Sequence, residues 1–424
     1  MIIKNIRVID PASRLDQISD IVIDNGIITK IAEAGKPLQI DDDRMVINGQ
    51  GLVAAPGLVD VHVHFRDPGF EYKEDIYTGA IAAAKGGFTS VVMMANTKPA
   101  IDNVDTLEYV LDRAKRTNIN VYSCGTITLG LQGEELSDMA ALKAKGAVGF
   151  TDDGIPIKNP ELVVSAMNKA LELNVPLSFH EEDPAYISEN GINADSAAPK
   201  LGIVGSPRKA EISLIDRDLK LAEQVPAEVL IQHISSAEGV DLVRTARMTN
   251  SHVHAEVTPH HFTLTEDAVE KYGSLAKMNP PLRAEADRQA LIKGLQDGTI
   301  EIISTDHAPH SVDEKSQMIT KAPSGIIGLE TSLGLGVREL VDKGYLSLME
   351  LLEKMTINPA KLYGLNAGRI VEGGPADLVL FDPEEEWYVC GDFASKSSNS
   401  PFVGERLLGK ISMTICGGKI VYQP

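Results

Sequence analysis

His62 and His64 lie two residues apart at the end of the apolar run LVDVHVHF. Side chains two apart in a β-strand point to the same face, so both imidazoles can bind one metal ion. Further candidate ligands end four later apolar runs: Asp152 and Asp153 in AVGFTDDG, His180 in VPLSFHEE, His233 in EVLIQHIS, and Asp306 and His307 in IEIISTDHAPH. Nitrogen and oxygen donors suit zinc or a similar divalent ion. They outnumber the ligands of one tetrahedral ion, which predicts a two-metal site with a bridging carboxylate.

Apolar runs that alternate with helical patterns must position these residues. The eight runs are LVDVHVHF, FTSVVMMAN, INVYSCGTI, AVGFTDDG, VPLSFHEE, EVLIQHIS, HVHAEVTPHH and IEIISTDHAPH. This alternation predicts an α/β protein with a (β/α)8 TIM barrel over residues 55–365. Catalytic residues of such barrels sit at the C-terminal ends of the strands, where the candidate ligands fall. An open doubly wound sheet is the alternative, but no glycine-rich phosphate-binding motif follows the first run.

Both ends of the chain have a different pattern from the middle. Residues 1–54 and 366–424 contain short strand-like runs, with a hairpin signal at Asn25-Gly26. We therefore predict one smaller, β-sandwich-like domain that is built from both termini.

The composition narrows the class of protein. With 424 residues and a formal net charge of −20, the chain is not expected to bind nucleic acid or anionic membranes. Cys124, Cys390 and Cys416 form no C-x-x-C motif and indicate reduced thiols. The sequence shows neither a signal-peptide pattern nor an apolar run that could span a bilayer, so we predict a soluble cytoplasmic protein. An anionic substrate would need a local cationic pocket.

Four other histidines need a separate interpretation. His252 and His254 form a second HxH motif, but they begin the seventh run and so face the opposite, stability-bearing end of the barrel. We interpret this pair as structural. His260 and His261 follow the end of that run and are expected to support the site or pack beside it. On an extended chain only one of the two could point inward.

Adjacent residues at a strand end diverge in the same way. We expect Asp306 rather than His307 to face the site. On the fourth run, either Asp152 or Asp153 must bridge two metals, and spacing alone leaves both open. Many two-metal barrels carry a carbamylated lysine at this position, but AVGFTDDG contains none.

Several motifs together are similar to those of the class I dihydroorotases of the amidohydrolase superfamily. They cover nearly the whole chain: HVHFRDPGFEYKED, KGGFTSVVMMANTKPAIDN, FTDDG, LGIVGSPRKAE, AEVTPHHFTLTED, KMNPPLR, DGTIEIISTDHAPH and KAPSGIIGLET. KMNPPLR and STDHAPH with FTDDG are specific to this branch. Two departures are Ala95, where the family usually has proline, and Phe65-Arg66-Asp67 in place of Leu-Arg-Glu. Ala95 is expected to loosen the loop that aims Asn96.

The resemblance implies a set of site residues. One or two zinc ions would be held by His62, His64, Asp153, His180, His233 and Asp306. Of these, His62, His64 and Asp306 would surround one ion, His180 and His233 would hold the second, and Asp153 would bridge. Substrate contacts would come from Arg66, Asn96, Asn279 and His310, and from the backbone near Pro323 and Gly325.

The implied reaction is the reversible cyclisation of N-carbamoyl-L-aspartate to L-dihydroorotate plus water, in de novo pyrimidine biosynthesis. A hydroxide bound between the metals would be the nucleophile, because divalent ions lower the pKa of bound water. Asp306 would accept the proton and deliver it to the ring nitrogen as general base and acid. Arg66 would bind the carboxylate that remains on the ring.

Two alternatives stay open. A hydantoinase or allantoinase would share the fold, but those enzymes normally carry the bridging lysine. A non-catalytic subunit that supports an aspartate carbamoyltransferase would be expected to have lost metal ligands, and all six candidates are retained. We expect a homodimer, with association with the transcarbamoylase as a further possibility. Residues 188–207 are either a mobile flap over the site or an ordered surface loop.

Overall fold

The computed structural model describes residues 1–35 and 44–424, so residues 36–43 of the predicted β-domain lie outside the described residues. Five strands precede the barrel: β1 (Ile2–Asp10), β2 (Leu15–Asp24), β3 (Ile27–Glu33), β4 (Val46–Asn48) and β5 (Val53–Pro56). Asn25 and Gly26 adopt φ values of 49° and 82°, and they form the predicted hairpin turn between β2 and β3. Strand β1 pairs antiparallel with β2 and parallel with β4 and β5.

The eight predicted runs each contain one barrel strand. These are β6 (Leu58–Val63), β7 (Phe88–Met93), β8 (Asn120–Ser123), β9 (Phe150–Thr151), β10 (Leu177–Phe179), β11 (Val229–Ile231), β12 (Val253–Val257) and β13 (Ile302–Ile303). Strands β6–β8 pair in parallel, as do β9–β13. Parallel bridges between Gly125 and Phe150 and between Val63 and His307 join the two groups into a closed ring. The predicted (β/α)8 barrel is confirmed.

Helices cover the barrel and connect its strands. They are α1 (Ile76–Lys85), α2 (Val104–Ala114), α3 (Met139–Lys145), α4 (Pro160–Leu173), α5 (Ala197–Lys200), α6 (Arg208–Ala222), α7 (Ala237–Arg247), α8 (Pro259–Thr263), α9 (Ala268–Tyr272), α10 (Glu285–Asp297), α11 (Val312–Lys315), α12 (Ser332–Gly336), α13 (Leu348–Met355) and α14 (Ile357–Leu362). Capping residues in the sequence determine where two of these helices begin. Asp75 forms a capping box with Thr78 at α1, and Asn159 caps α4 directly before Pro160.

The last strands return to the small sheet. They are β14 (Leu378–Asp382), β15 (Trp387–Tyr388), β16 (Arg406–Leu407), β17 (Lys410–Cys416) and β18 (Lys419–Tyr422). The strand order β18-β17-β14-β5-β1-β2-β3, with β4 beside β1, combines both ends of the chain. Strands β15 and β16 form a separate two-stranded ribbon. The composite β-domain is therefore present, while its boundaries at residues 54/55 and 365/366 and its sandwich-like packing remain proposals.

One residue connects the small sheet to the barrel. Strand β5 ends at Pro56 and β6 begins at Leu58, so only Gly57 lies between them. The Gly57 N–H donates to the Asp377 carbonyl (2.9 Å), and a Cβ at this position would collide with the Thr89 side chain. This close approach explains why glycine is needed at the junction.

Among the described residues, no helix has both the length and the apolar character that crossing a membrane requires.

Candidate metal-dependent active site

Two histidines and two aspartates form the first half of a polar cluster at the C-terminal end of the barrel. His62 Nε2 lies 3.5 Å from Asp153 Oδ1 and 3.5 Å from Asp306 Oδ1. His64 Nε2 lies 3.4 Å from Asp153 Oδ2 and 3.0 Å from Asp306 Oδ1. All four side chains are buried. They come from the C-terminal ends of β6, β9 and β13, of which β6 and β13 are neighbours in the ring and β9 lies across from them.

The second half of the cluster shares Asp153 with the first. His180 Nδ1 and His233 Nε2 lie 3.7 and 3.8 Å from Asp153 Oδ1 and 2.9 Å from each other. The set His62, His64 and Asp153 and the set Asp153, His180 and His233 each place one ligand atom per residue within 4.8 Å of the others. The structure thus brings all six predicted metal ligands together, with Asp153 between the two groups.

A second layer of side chains holds three of the histidines. His62 Nδ1 lies 2.6 Å from Glu256 Oε1, His180 Nε2 lies 3.2 Å from Glu182 Oε2, and His64 Nδ1 lies 3.0 Å from Asn96 Oδ1. Because each of these oxygens accepts a hydrogen bond from a ring N–H, the opposite ring nitrogen keeps its lone pair and faces the cluster. His62 Nε2 is buried without a hydrogen-bond partner among the described residues. This donor set fits a divalent metal.

The sequence reasoning missed Glu256 and Glu182. A signal existed for Glu256, because an acidic residue in the apolar run HVHAEV needs a buried partner. For Glu182, the signal was its position two residues after His180.

The electrostatics of the cluster favour a bound cation. Burial alone would raise the pKa of Asp153, but the nearby imidazoles of His62, His180 and His233 outweigh it and hold this pKa well below its usual value. Burial likewise lowers the pKa of His62, but Glu256 and Asp153 raise it well above normal. An environment that stabilises positive charge on an imidazole also stabilises a divalent ion in place of the proton.

Three site residues adopt left-handed backbone conformations. Arg66, His233 and Asp306 have φ values of 60°, 29° and 47°. Such conformations cost side chains with a Cβ on the order of 1–3 kcal/mol each, and they cluster at functional sites. The surrounding barrel therefore stabilises these turns against their local preference.

A cavity of about 190 Å³ lies over the cluster. Besides the metal-ligand candidates, its wall contains five of the predicted substrate contacts: Arg66, Asn96, Asn279, His310 and Gly325. Pro323 does not line this cavity, and its carbonyl accepts a hydrogen bond from Lys315 Nζ (2.9 Å). A larger cleft of about 750 Å³ shares Gly154, His180 and Asn279 with the cavity and forms its approach.

Arg66 is half-buried and lines the cavity wall. Its Nε donates to the Pro309 carbonyl (3.3 Å), and its Nη2 lies 3.5 Å from His310 Nε2. Its neighbour Asp67 instead pairs with Arg113 at 2.7 Å. The guanidinium therefore keeps donor capacity for a ligand in the cavity.

Asn96 is held by two metal-ligand candidates. Its Oδ1 contacts His64, and its Nδ2 donates to Asp153 Oδ2 (2.9 Å). Ala95 beside it is fully buried. The loosening that was expected from Ala95 is therefore not visible in the position of the Asn96 amide.

The 188–207 segment borders the approach to the cavity. Ser188, Glu189 and Asn190 line the larger cleft, and a Cβ at Gly191 would collide with Ser324 Oγ. Farther along, Ile192 is buried and Asn193 Nδ2 donates to Glu266 Oε2 (2.8 Å). These contacts describe a packed segment, and the flap motion stays a prediction.

Asp152 and His307 face away from the cluster. Asp152 accepts hydrogen bonds from the amides of Ile127 (2.8 Å) and Thr128 (3.0 Å). His307 Nδ1 accepts from the Gly328 amide (3.1 Å). The geometry therefore selects Asp153 over Asp152, and Asp306 over His307, as the cluster residues.

The structure agrees with the prediction for the pair His252 and His254 but differs from it for the pair His260 and His261. His252 and His254 pair with Glu228 at the opposite end of the barrel (2.8 and 2.6 Å), as expected for a structural pair. His260 and His261 do not lie on an extended chain: they belong to α8, which begins with Pro259, so the argument from strand alternation was wrong for them. Both rings are buried, and their centroids lie 4.6 Å apart.

A closed (β/α)8 barrel with imidazoles and a shared carboxylate at its C-terminal end, attached to a β-domain made from both termini, defines a member of the amidohydrolase superfamily. A family model described as dihydro-orotase-like matches residues 51–239. The chain is 56% identical over 422 residues to a dihydroorotase of Clostridioides difficile (strain 630), covering 100% of this chain and 99% of that protein. It is 52% identical to a dihydroorotase of Streptococcus thermophilus (strain CNRZ 1066), covering 100% of both. The chain belongs to the dihydroorotase family.

Solved structures support the fold. An L-hydantoinase from Arthrobacter aurescens is similar with a TM-score of 0.88 and 25% identity, over 100% of this chain and 96% of that one. A dihydropyrimidinase from Brevibacillus agri NCHU1002 has a TM-score of 0.85 at 22% identity, over 100% of this chain and 95% of that one. Both show that the barrel and its β-domain form a recurring arrangement.

Proposed function

We propose that this chain is a dihydroorotase, which interconverts N-carbamoyl-L-aspartate with L-dihydroorotate and water in de novo pyrimidine biosynthesis. The observation that carries the proposal is the half-buried Arg66 on the wall of a small cavity whose floor is the histidine–aspartate cluster. A cyclic amide with a carboxylate needs both features, a centre that activates water and a cation beside it.

The cluster residues would hold zinc, with one or two ions per chain. His62, His64 and Asp306 would surround one ion, His180 and His233 would hold the other, and Asp153 would bridge them. When bound, such ions polarise the amide carbonyl and lower the pKa of a water molecule enough to make it a nucleophile at neutral pH.

Asp306 is the proposed general base and acid. Its carboxylate follows β13, lines the cavity and contacts both HxH histidines. From this position it can take the proton from the attacking water and hold it at a carboxylate oxygen. The proton then passes to the ring nitrogen as the amide bond opens, and ring closure reverses the transfer.

Three side chains are proposed to orient the substrate. The Arg66 guanidinium offers a planar fork for the carboxylate, with His310 beside it. The Asn279 Oδ1 is buried without a hydrogen-bond partner among the described residues, so it can accept an N–H of the ring. Burial, Arg66 and Lys73 lower the pKa of His310 to about 2, so this ring is neutral at physiological pH.

The substrate assay tests the proposal directly. We expect kcat/KM for L-dihydroorotate to exceed the values for hydantoin and allantoin by at least about 100-fold, because only the first carries a carboxylate for Arg66. Ultraviolet detection of ring opening measures kcat/KM for each substrate, and metal quantification on the same preparation measures the number of ions per chain. A preference for hydantoin or allantoin would instead support the alternative cyclic amidohydrolase.

Arg66→Met is expected to raise KM for L-dihydroorotate by about 100-fold, because it removes a charge-assisted, bidentate contact. The value of kcat should change much less, since the cluster and Asp306 are intact. Arg369→Met is the matched control, because Arg369 is exposed and contacts Asn366. An unchanged KM in Arg66→Met would contradict the assignment of the carboxylate to this side chain.

The homodimer, the association with aspartate carbamoyltransferase and the cytoplasmic location are proposed from the family resemblance. Light scattering of the purified chain, alone and mixed with a transcarbamoylase, measures the first two. The complete set of six ligand candidates supports an active enzyme over a non-catalytic partner subunit.

A further inference from the structure

Two buried lysines bind the segment that forms one wall of the cavity. Lys315 Nζ donates to the carbonyls of Pro323 (2.9 Å) and Gly325 (3.0 Å), and Lys277 Nζ donates to that of Ala322 (2.8 Å). Their exposed fractions are 7% and 2%. No carboxylate in the described part of the chain lies within ion-pair distance of either ammonium group. Both ammonium groups instead donate hydrogen bonds to main-chain carbonyl oxygens. Burying a lysine in this way is costly, which points to a role beyond packing.

The hydrogen bonds of residues 323–325 leave one main-chain donor unused. Lys315 binds the carbonyls of Pro323 and Gly325, His310 Nε2 donates to that of Ser324 (2.9 Å), and the Gly325 N–H donates to the Lys277 carbonyl (2.8 Å). Pro323 has no N–H. Within the described residues, the Ser324 N–H is therefore the main-chain polar group of this segment without a partner. Ser324 is half-buried and lines the cavity, so this N–H is open to an acceptor atom of a ligand there.

The direction of the Ser324 N–H follows from Lys315. In a trans peptide the carbonyl of one residue and the N–H of the next point in opposite directions. The Pro323 carbonyl points to Lys315, behind the wall, so the Ser324 N–H points to the opposite side, where Ser324 and Gly325 line the cavity. A cation at the carbonyl also polarises the peptide and strengthens its N–H as a donor. Ser324 Oγ is likewise buried without a partner among the described residues.

We propose that Lys315 is a positioning residue that fixes the 323–324 peptide so that the Ser324 N–H receives the carboxylate of the substrate. The inference rests on the proposed function, since it takes the ligand to be dihydroorotate or carbamoyl aspartate. It assigns to Lys315 a share of the cationic environment that an anionic substrate requires in a chain with a net charge of −20. Lys315 acts through the peptide and does not touch the substrate.

Lys315→Met tests this role, with Lys277→Met as a matched comparison. Both replace an equally buried lysine that binds the same segment. The Ala322 carbonyl held by Lys277 precedes a proline, however, so it directs no N–H to the cavity. We expect Lys315→Met to raise KM for L-dihydroorotate about tenfold, as for one hydrogen bond to a charged group, with kcat within threefold. Lys277→Met should change KM by less than threefold, even if it lowers the melting temperature as much as Lys315→Met does.

Three further tests complete the experiment. Lys321→Met, at an exposed lysine of the same segment, should leave both constants unchanged. Lys315→Gln keeps one donor for a carbonyl, so it should give an intermediate KM and replaces Lys315→Met if that variant does not fold. In the inactive Asp306→Asn background, calorimetry of L-dihydroorotate should show the same tenfold loss of affinity without turnover.

The outcomes separate this inference from the proposed function. Turnover of L-dihydroorotate by the wild type supports the function whatever the variants do. Equal effects of Lys315→Met and Lys277→Met on KM, or no effect of the former, would overturn the role of Lys315 while the function stands. A wild type that neither binds nor turns over L-dihydroorotate would overturn both.

Discussion

Asp306→Asn is expected to lower kcat for L-dihydroorotate by at least about 1000-fold, at the upper part of the range for loss of a general acid–base. The asparagine keeps the shape of the side chain and one oxygen that can bind a metal. It cannot take a proton from water and return it to the ring nitrogen. The loss should therefore appear in kcat in both directions of the reaction, with little change in KM.

Metal content and thermal unfolding distinguish this chemical loss from damage to the site. Both should match the wild type in Asp306→Asn. Asp313→Asn, an exposed position in the nearby α11, is the control and should retain full activity. An Asp306→Asn enzyme that keeps more than a tenth of wild-type kcat would assign the proton transfer to another group.

For a wild type that holds two ions per chain, Asp153→Asn is expected to reduce the metal content to one ion and to lower activity at least about 100-fold. Asp153 places Oδ1 near His62, His180 and His233, and Oδ2 near His64. A carboxamide has one oxygen that can bind a metal and no charge, so it can serve only one half of the cluster. Elemental analysis after dialysis measures the effect without relying on activity.

Asp152→Asn is the matched control in the adjacent residue. Asp152 accepts hydrogen bonds from two main-chain amides and from the Thr128 hydroxyl. An asparagine places an NH2 group among these donors, so this variant should lose about 2 kcal/mol of unfolding free energy yet retain two ions. If Asp152→Asn lost metal and Asp153→Asn did not, the bridging assignment would be reversed.

Much of the fold and the ligand set was predictable because, in a barrel, the position of a residue along its strand determines at which end of the barrel it lies. The C-terminal ends of all eight strands meet at one end of the ring, so polar residues after apolar runs had to converge. The same rule separated His62 and His64 from the similar pair His252 and His254. Strand alternation also indicated that Asp306 faces the site and His307 does not.

Other features depend on contacts that no local pattern specifies. Glu256 supports His62 from a strand far along the chain, and the partnership exists only because the ring brings β6 and β12 together. The α8 turn was missed although Thr258 and Pro259 are a common helix start, because the apolar run before them predicted a continuing strand. The role of Lys315 could not be inferred from sequence, since its partners are main-chain oxygens.

The position of β5 between β1 and β14 has a consequence for the order of folding during synthesis. Strand β1 precedes β5 closely in the chain, whereas β14 is made only after the whole barrel. The small sheet therefore closes late, through a pairing of very long sequence separation, which is the kind of contact that slows folding. Because Gly57 alone joins β5 to β6, this late step also fixes the base of the strand that carries His62. A strand outside the barrel, made after every candidate ligand, thus helps to hold the strand that carries the first of them.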